Sequence, residues 1–144
     1  MKIINYKNTN IQGTCTIDDG FAPVMDHIND VCKKHGFIFI VTSSKRNSII
    51  VPGAIVKPAE MSNHLVGHAV DGNLKSIKTG EYFNSKKMGD GKGDDEAVIH
   101  DIESTMDRWG GRFKTPDTVH FDSGLNIKNP AHWHVLNTEF NSKK

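Results

Sequence analysis

With 144 residues, 36% hydrophobic and 24% charged, the chain is long enough for one domain with a modest core. Its 18 basic residues nearly balance 17 acidic ones, and with a net charge of +1 and no polybasic run or basic helix, neither a nucleic-acid nor a membrane partner is expected. Residues 1–7 lack the apolar core of a signal peptide and no span is apolar enough to cross a bilayer, so the expectation is a soluble, monomeric single domain over 1–144, kept in the cytosol unless something releases it.

Residues 1–20 alternate loosely through Ile3, Ile11, Thr14 and Thr16 and end in Asp18-Asp19-Gly20, which predicts a short strand or an irregular arm closed by a turn. From 23 to 35, Val24, Ile28, Val31 and Cys32 recur at helical spacing, with Pro23 near the first turn and Gly36 just past the end. Residues 37–42 are then a short β-favouring apolar run bounded by Gly36 and Ser43-Ser44, which predicts a strand buried on both faces. A helix feeding a central strand opens an α+β fold. Cys15 and Cys32 fit neither a CxxC redox motif nor a zinc knuckle. Cys32 lies on the helix's apolar stripe and reads as a core thiol, while the spacing leaves open whether the two pair.

Residues 47–61, with Pro52, Gly53 and Pro58, form a loop into Ser62-Asn63-His64-Leu65-Val66-Gly67-His68-Ala69-Val70-Asp71. An imidazole and a carboxylate here flank a glycine, and both are zinc-ligand types. Seven residues of straight strand would hold His64 and Asp71 roughly 23 Å apart, whereas ligands of one ion each sit about 2 Å from it. To share an ion the segment must fold back, and Gly67 is the residue best able to take the dihedrals required. Residues 69–71 then begin a strand on which Ala69 and Asp71 share one face and His68 and Val70 the other, which sets His68 aside as a ligand. The residues alone also allow a surface His and a turn Asp.

Residues 72–96 are rich in Gly, Lys, Asn and Asp without sustained periodicity and read as a solvated insertion. Within it, residues 90–96 have the composition of a calcium loop but not the ligand alternation of an EF-hand, so no calcium is expected there. Val98, Ile102, Met106 and Trp109 trace one helical face over 97–109, closed by Gly110-Gly111. If 119–122 is a strand, Val119 and Phe121 face the core and His120 faces away, where it can complete a metal site. Asp117, just outside that strand, can lean over an open coordination position as a general base without being a ligand. It would take a proton from metal-activated water, whose pKa falls to about 7, and pass it to the leaving amine. His27, His35 and His100 lie on or beside helices and read as surface or capping residues.

Three blocks carry a family resemblance. Residues 62–71 match S-x-H-x-x-G-x-A-x-D at every fixed position, the signature of zinc peptidases that cut peptidoglycan peptides. Residues 41–46 resemble the family's T-S-G-Y-R strand end, with Ser44 for Gly and Lys45 for Tyr. Residues 109–113 and 117–122 resemble the W-G-G-x-W…D-x-x-H-F-E ending of its endolysin-like members, with Phe113 for Trp and Asp122 for Glu. The resemblance implies a zinc ion held by His64, Asp71 and His120, with Asp117 as the base and Ser62 at the substrate. It places Arg46 on an arginine that contacts the substrate and stabilises the oxyanion, a role for which a permanently charged guanidinium is apt. Residues 129–134 look somewhat like the E-P-W-H-W ending of the carboxypeptidase branch. They would form a last strand with His132 and His134 as rival ligands and Trp133 and Val135 as core contacts; Asn129 stands where the acid should be, so His120 is preferred.

The fold expected is α+β, a small antiparallel sheet with helices on one face and a zinc cleft on the other. The function expected is a zinc metallopeptidase hydrolysing peptidoglycan stem peptides at D-Ala-D-Ala or L-Ala-D-Glu. The alternative is an inactive member that keeps the cleft as a peptide-binding module.

Overall fold

Phe37, Phe39 and Val41 are the alternate residues of one strand, β4 (Phe37–Ser43), and in the computed structural model, which describes residues 2–45, 62–103 and 108–142, all three are buried. Ile38 and Ile40 on the other face are half-buried, so this strand has one fully covered face and not the two expected. The covering element is α1 (Ala22–His35), which buries Met25, Ile28, Val31 and Cys32 and ends at Gly36 in the left-handed conformation (φ 75°), with the Gly36 N–H donating to the Cys32 carbonyl.

Ahead of α1, β1 (Ile3–Asn5) and β3 (Thr16–Asp18) pair antiparallel, and β2 (Ile11–Gln12) runs parallel to the edge of β4. On its other edge β4 pairs antiparallel with β5 (Ala69–Ser76), from Phe37 opposite Ser76 to Ser43 opposite Asp71. The first five residues of the predicted insertion, 72–76, are therefore strand. Their period was hidden because Gly72, Asn73 and Lys75 are not apolar, and Leu74 alone marks the buried face. After a turn, β6 (Tyr82–Phe83) returns along β5.

α2 (Asp95–Glu103) buries Val98, Ile99 and Ile102 and meets α1, where His27 Nε2 lies 3.1 Å from the Asp101 carbonyl and His35 Nε2 2.5 Å from the Asp101 carboxylate. The helix predicted over 97–109 does not reach Trp109, and Met106 lies outside the described residues. Trp109 belongs to β7 (Arg108–Trp109), opposite Phe121 of β8 (His120–Asp122), with its indole N–H donating to the Thr118 carbonyl at 2.8 Å. Among the described residues the main sheet thus runs β2-β4-β5-β8-β7, antiparallel except at β2, with α1 and α2 packed on its apolar face.

The last strand expected around 132–135 is a helix. After α3 (Leu125–Lys128), Asn129 accepts the His132 N–H and Pro130 opens α4 (Pro130–Ser142), a favourable start for a helix. Trp133, Leu136 and Phe140 then form an apolar stripe at helical spacing against Val66, while Val135 is 54% exposed. Residues two apart on a helix point about 200° apart, so His132 and His134 share no face. Cys15 and Cys32 are separate buried thiols, and burial pushes them up to about 11 and about 12. Among the described residues no helix is long and apolar enough to cross a membrane.

Candidate metal centre

His64 is carried by a single 3₁₀ turn, Asn63–Val66. Ser62 caps it, its hydroxyl accepting the His64 N–H at 3.2 Å and its carbonyl accepting the Trp133 indole N–H at 3.1 Å. Gly67 closes the turn at φ 72°, where the chain reverses into β5. A Cβ there would also sit 2.4 Å from the Asp18 nitrogen, whose N–H donates to the Gly67 carbonyl at 3.1 Å. This glycine serves both the reversal and a close backbone approach. Asp71 and His120 face each other directly across the β5–β8 pairing. His68 points elsewhere, to a buried Asp18 carboxylate at 2.8 Å.

Those three elements bring His64, Asp71 and His120 together: one ligand atom from each lies within 4.8 Å of the others, and all three residues are buried. The far side of each imidazole is already committed. His64 Nδ1 is 2.6 Å from the Ser44 carbonyl, so it must carry a proton and donate. His120 Nε2 is 2.5 Å from Asp122 Oδ2 and donates likewise. The two remaining ring nitrogens, His64 Nε2 and His120 Nδ1, both point at Asp71 Oδ1, at 3.2 and 3.1 Å.

The proton count of this arrangement fits a metal. For Asp71 to accept from both rings, each imidazole would need a second proton and a positive charge. A cation at the same point replaces both protons and meets two neutral nitrogens and a carboxylate oxygen. Histidines that ligate metals typically donate their other N–H to a carboxylate or backbone carbonyl, which fixes tautomer and ring orientation. Ser44 and Asp122 provide one of each.

Without a metal the charges sit where the geometry predicts. Burial opposes charge on His120, but the Asp122 and Asp71 carboxylates outweigh it and push the imidazole up to about 9. Burial would raise Asp71, yet the bonds from His120 and His64 hold it well below the usual carboxylate range. Asp122 is kept down at about 2, against its own burial, by His120 and by Arg108. Arg108 grips Asp122 with both arms, Nε to Oδ1 at 2.9 Å and an Nη to Oδ2 at 3.0 Å, and the Gly124 N–H adds a bond to Oδ1 at 2.7 Å. Neither Asp122 nor Arg108 stood out as a functional residue in the sequence. The period of two that places His120 also places Asp122 on its face, and that was the available signal.

Asp117 stands three residues before His120 and is half-buried. Its carbonyl accepts the His120 N–H at 3.1 Å and its N–H donates to the Gly110 carbonyl at 2.9 Å. A Cβ at Gly110 would lie 2.2 Å from the Asp117 carbonyl oxygen, so the Gly110 position must stay bare for this segment to close. Phe113 lies beside the His120 ring at 5.4 Å between centroids and carries the Arg108 guanidinium on its face. Among the other expected site residues, Ser62 is buried in its capping position. Arg46 lies outside the described residues. His132 is half-buried and His134 exposed on α4, and neither joins the cluster.

Residues 56–123, which include the three clustered residues, match the family model described as D-alanyl-D-alanine carboxypeptidase. The match bears out the resemblance to the zinc D,D-peptidases. No curated protein matches the chain.

Proposed function

We propose that this chain, matched over its metal centre to the D-alanyl-D-alanine carboxypeptidase family, is a zinc-dependent peptidase of peptidoglycan stem peptides. The observation that carries the reading is the convergence of two oriented imidazoles and one carboxylate inside the family-matched segment. Three protein ligands with a further position left open are the pattern of a catalytic zinc site. Two histidines and a carboxylate also suit iron(II), and the resemblance of residues 62–71 to the zinc-peptidase signature is what favours zinc here.

His64, Asp71 and His120 would hold the ion, with Ser44 and Asp122 fixing the two rings. When bound, zinc supplies a Lewis acid for the scissile carbonyl and lowers the pKa of the attacking water. Asp117 takes the proton that water gives up as its oxygen adds to the carbonyl carbon. As the C–N bond breaks, the same carboxyl returns the proton to the departing amine. The Asp117 backbone is tied to His120 and Gly110, which keeps the base at a fixed remove from the ligand. Arg46 is assigned to the oxyanion on the strength of its sequence motif. Ser62, whose hydroxyl already accepts from His64, keeps its own O–H for a substrate acceptor.

Defined muropeptides incubated with the protein, with and without a zinc chelator, test this reading when products are identified by mass. Chelator-sensitive cleavage at D-Ala-D-Ala or L-Ala-D-Glu is expected. Binding without cleavage would make the chain a peptide-binding module instead. Asp117→Asn should keep zinc and fold while losing roughly 10²- to 10⁴-fold in rate, and an unchanged rate would move the base elsewhere.

A further inference from the structure

A second acidic cluster lies away from the His64, Asp71 and His120 site. Asp90, Asp95 and Glu96 bring carboxylate oxygens within 4.8 Å of one another where the loop after β6 enters α2. Acidic residues in a helix's first turn are ordinarily explained by the helix dipole, and Asp95 and Glu96 occupy that turn. The dipole does not explain the state of Asp95. Its side chain is buried, Oδ2 accepts the Gly89 N–H at 3.0 Å, and Oδ1 has no hydrogen-bond partner among the described residues. A buried carboxylate oxygen without a partner is expensive, and two further carboxylates beside it add repulsion. Burial pushes the Asp95 carboxyl up, with the Glu96 and Asp90 charges adding to it, while the Gly89 N–H and its own backbone N–H pull it down, and the net direction is upward.

The other two carboxylates are held in place by backbone donors. The Lys92 N–H donates to Asp90 Oδ1 at 2.9 Å and the Gly91 N–H to Glu96 Oε1 at 2.6 Å. Each of those side chains therefore keeps one oxygen uncommitted among the described contacts. We infer that Asp90, Asp95 and Glu96, in the segment where the lack of EF-hand alternation predicted no calcium, form a calcium site of a different build, with the orphaned Asp95 Oδ1 as its innermost ligand. Hard oxygen donors, a glycine-bearing loop and mixed exposure suit calcium better than magnesium, which demands tighter octahedral geometry.

The site has a route to the catalytic segment. A Cβ at Gly89 would lie 2.6 Å from the Trp109 ring, so the loop rests directly on that indole. The Thr118 hydroxyl donates to the Ser85 carbonyl at 2.8 Å, and Thr118 sits between Asp117 and His120 in the chain. An ion binding the loop would brace the surface against which this segment packs.

The test is thermal denaturation and titration calorimetry on the full chain with zinc present, so that His64, Asp71 and His120 are not available to calcium. Calcium should bind once per chain with Kd of about 10⁻⁵ to 10⁻³ M, and at saturation raise Tm by about 4 °C or more. Magnesium should give less than half that rise. Asp90→Asn, at an exposed position, should abolish most of the calcium response and leave the fold intact. Asp95→Asn should abolish it too, and if that variant does not fold, Asp90→Asn carries the decision. No calcium-dependent shift up to about 10 mM, or an equal shift in Asp90→Asn, would overturn the proposal.

Discussion

Replacing Asp122 with Asn probes how far the second layer of the centre governs the first. In the native site Oδ2 accepts from His120 and an Arg108 Nη, while Oδ1 accepts from Arg108 Nε and the Gly124 N–H. An amide can serve only one of these sides. If its oxygen faces His120, its NH₂ meets the Gly124 and Arg108 donors, and in the opposite orientation it meets the His120 N–H. Either way two donors lose their acceptor, at roughly 1–3 kcal/mol each, so stability should fall by about 2–6 kcal/mol. Zinc affinity at pH 9 should fall by about 10- to 100-fold, the usual effect of removing a carboxylate behind a ligating histidine.

The pH dependence makes this test specific. In the native protein His120 is pushed up to about 9 by Asp122 and Asp71, so zinc must displace a proton from it at neutral pH. Native affinity should climb about tenfold per pH unit from 7 to 9 and then level off. Asp122→Asn removes one carboxylate that holds that proton, so the variant meets less competition and its deficit should narrow as pH falls. Competition against a chromophoric chelator at several pH values reads both curves. A native affinity that is flat between pH 7 and 9, or a deficit that does not change with pH, would refute the assignment of Asp122 as the partner that sets His120.

Three further outcomes follow from the same geometry. His120→Ala should abolish stoichiometric zinc by elemental analysis and His132→Ala should not; the reverse would put the third ligand on α4. Gly67→Ala forces a side chain into a φ of 72° against the Asp18 nitrogen, and denaturant unfolding should show a loss of roughly 2 kcal/mol or more; a loss within experimental error would mean the reversal tolerates a Cβ. The metal-free protein should lose stability as pH rises through the 6.5–9 window, because His120 is raised on folding: its contribution is complete below the unfolded value and gone above about 9, roughly 3 kcal/mol in all. Stability that rises across that window would contradict the charge arrangement at Asp71.

How much of this was legible depended on whether the informative contact was local. α1 carried its own signals at both ends, Pro23 inside the first turn and Gly36 at the stop, and it forms where they place it. The grouping of His64, Asp71 and His120 was implied by the resemblance to the zinc peptidases; ligand chemistry, a glycine reversal and the period of two on a strand were consistent with it but equally allowed a surface His and a turn Asp. The elements misread were those whose identity is decided by a distant partner. Trp109 continues the helical spacing of Val98 and Ile102, but its pairing with Phe121 puts it in a strand. That pairing also delivers Arg108 to Asp122, so missing β7 hid the arginine. In α4 the alternation of His132 and His134 suggested period two, whereas Trp133, Leu136 and Phe140 obey the helical period against Val66, a residue far away in the chain.

The centre is built asymmetrically, and its two halves depend on different parts of the chain. Asp71 and His120 are opposite residues of paired strands, so their separation is fixed by the β5–β8 ladder and by the core beneath, where Phe39 meets Phe121. His64 sits on four residues of 3₁₀ turn that cannot hold a position alone. It is fixed instead from three directions: by the Ser44 carbonyl at the end of β4, by the Trp133 indole on Ser62, and by the Asp18 N–H on Gly67. The small apolar cluster of α4 therefore has a purpose beyond closing the chain, since Trp133 is the contact that ties it to the turn. Perturbations of the sheet should move two ligands together, while perturbations of α4 or β3 should move His64 alone and leave the Asp71–His120 pair intact.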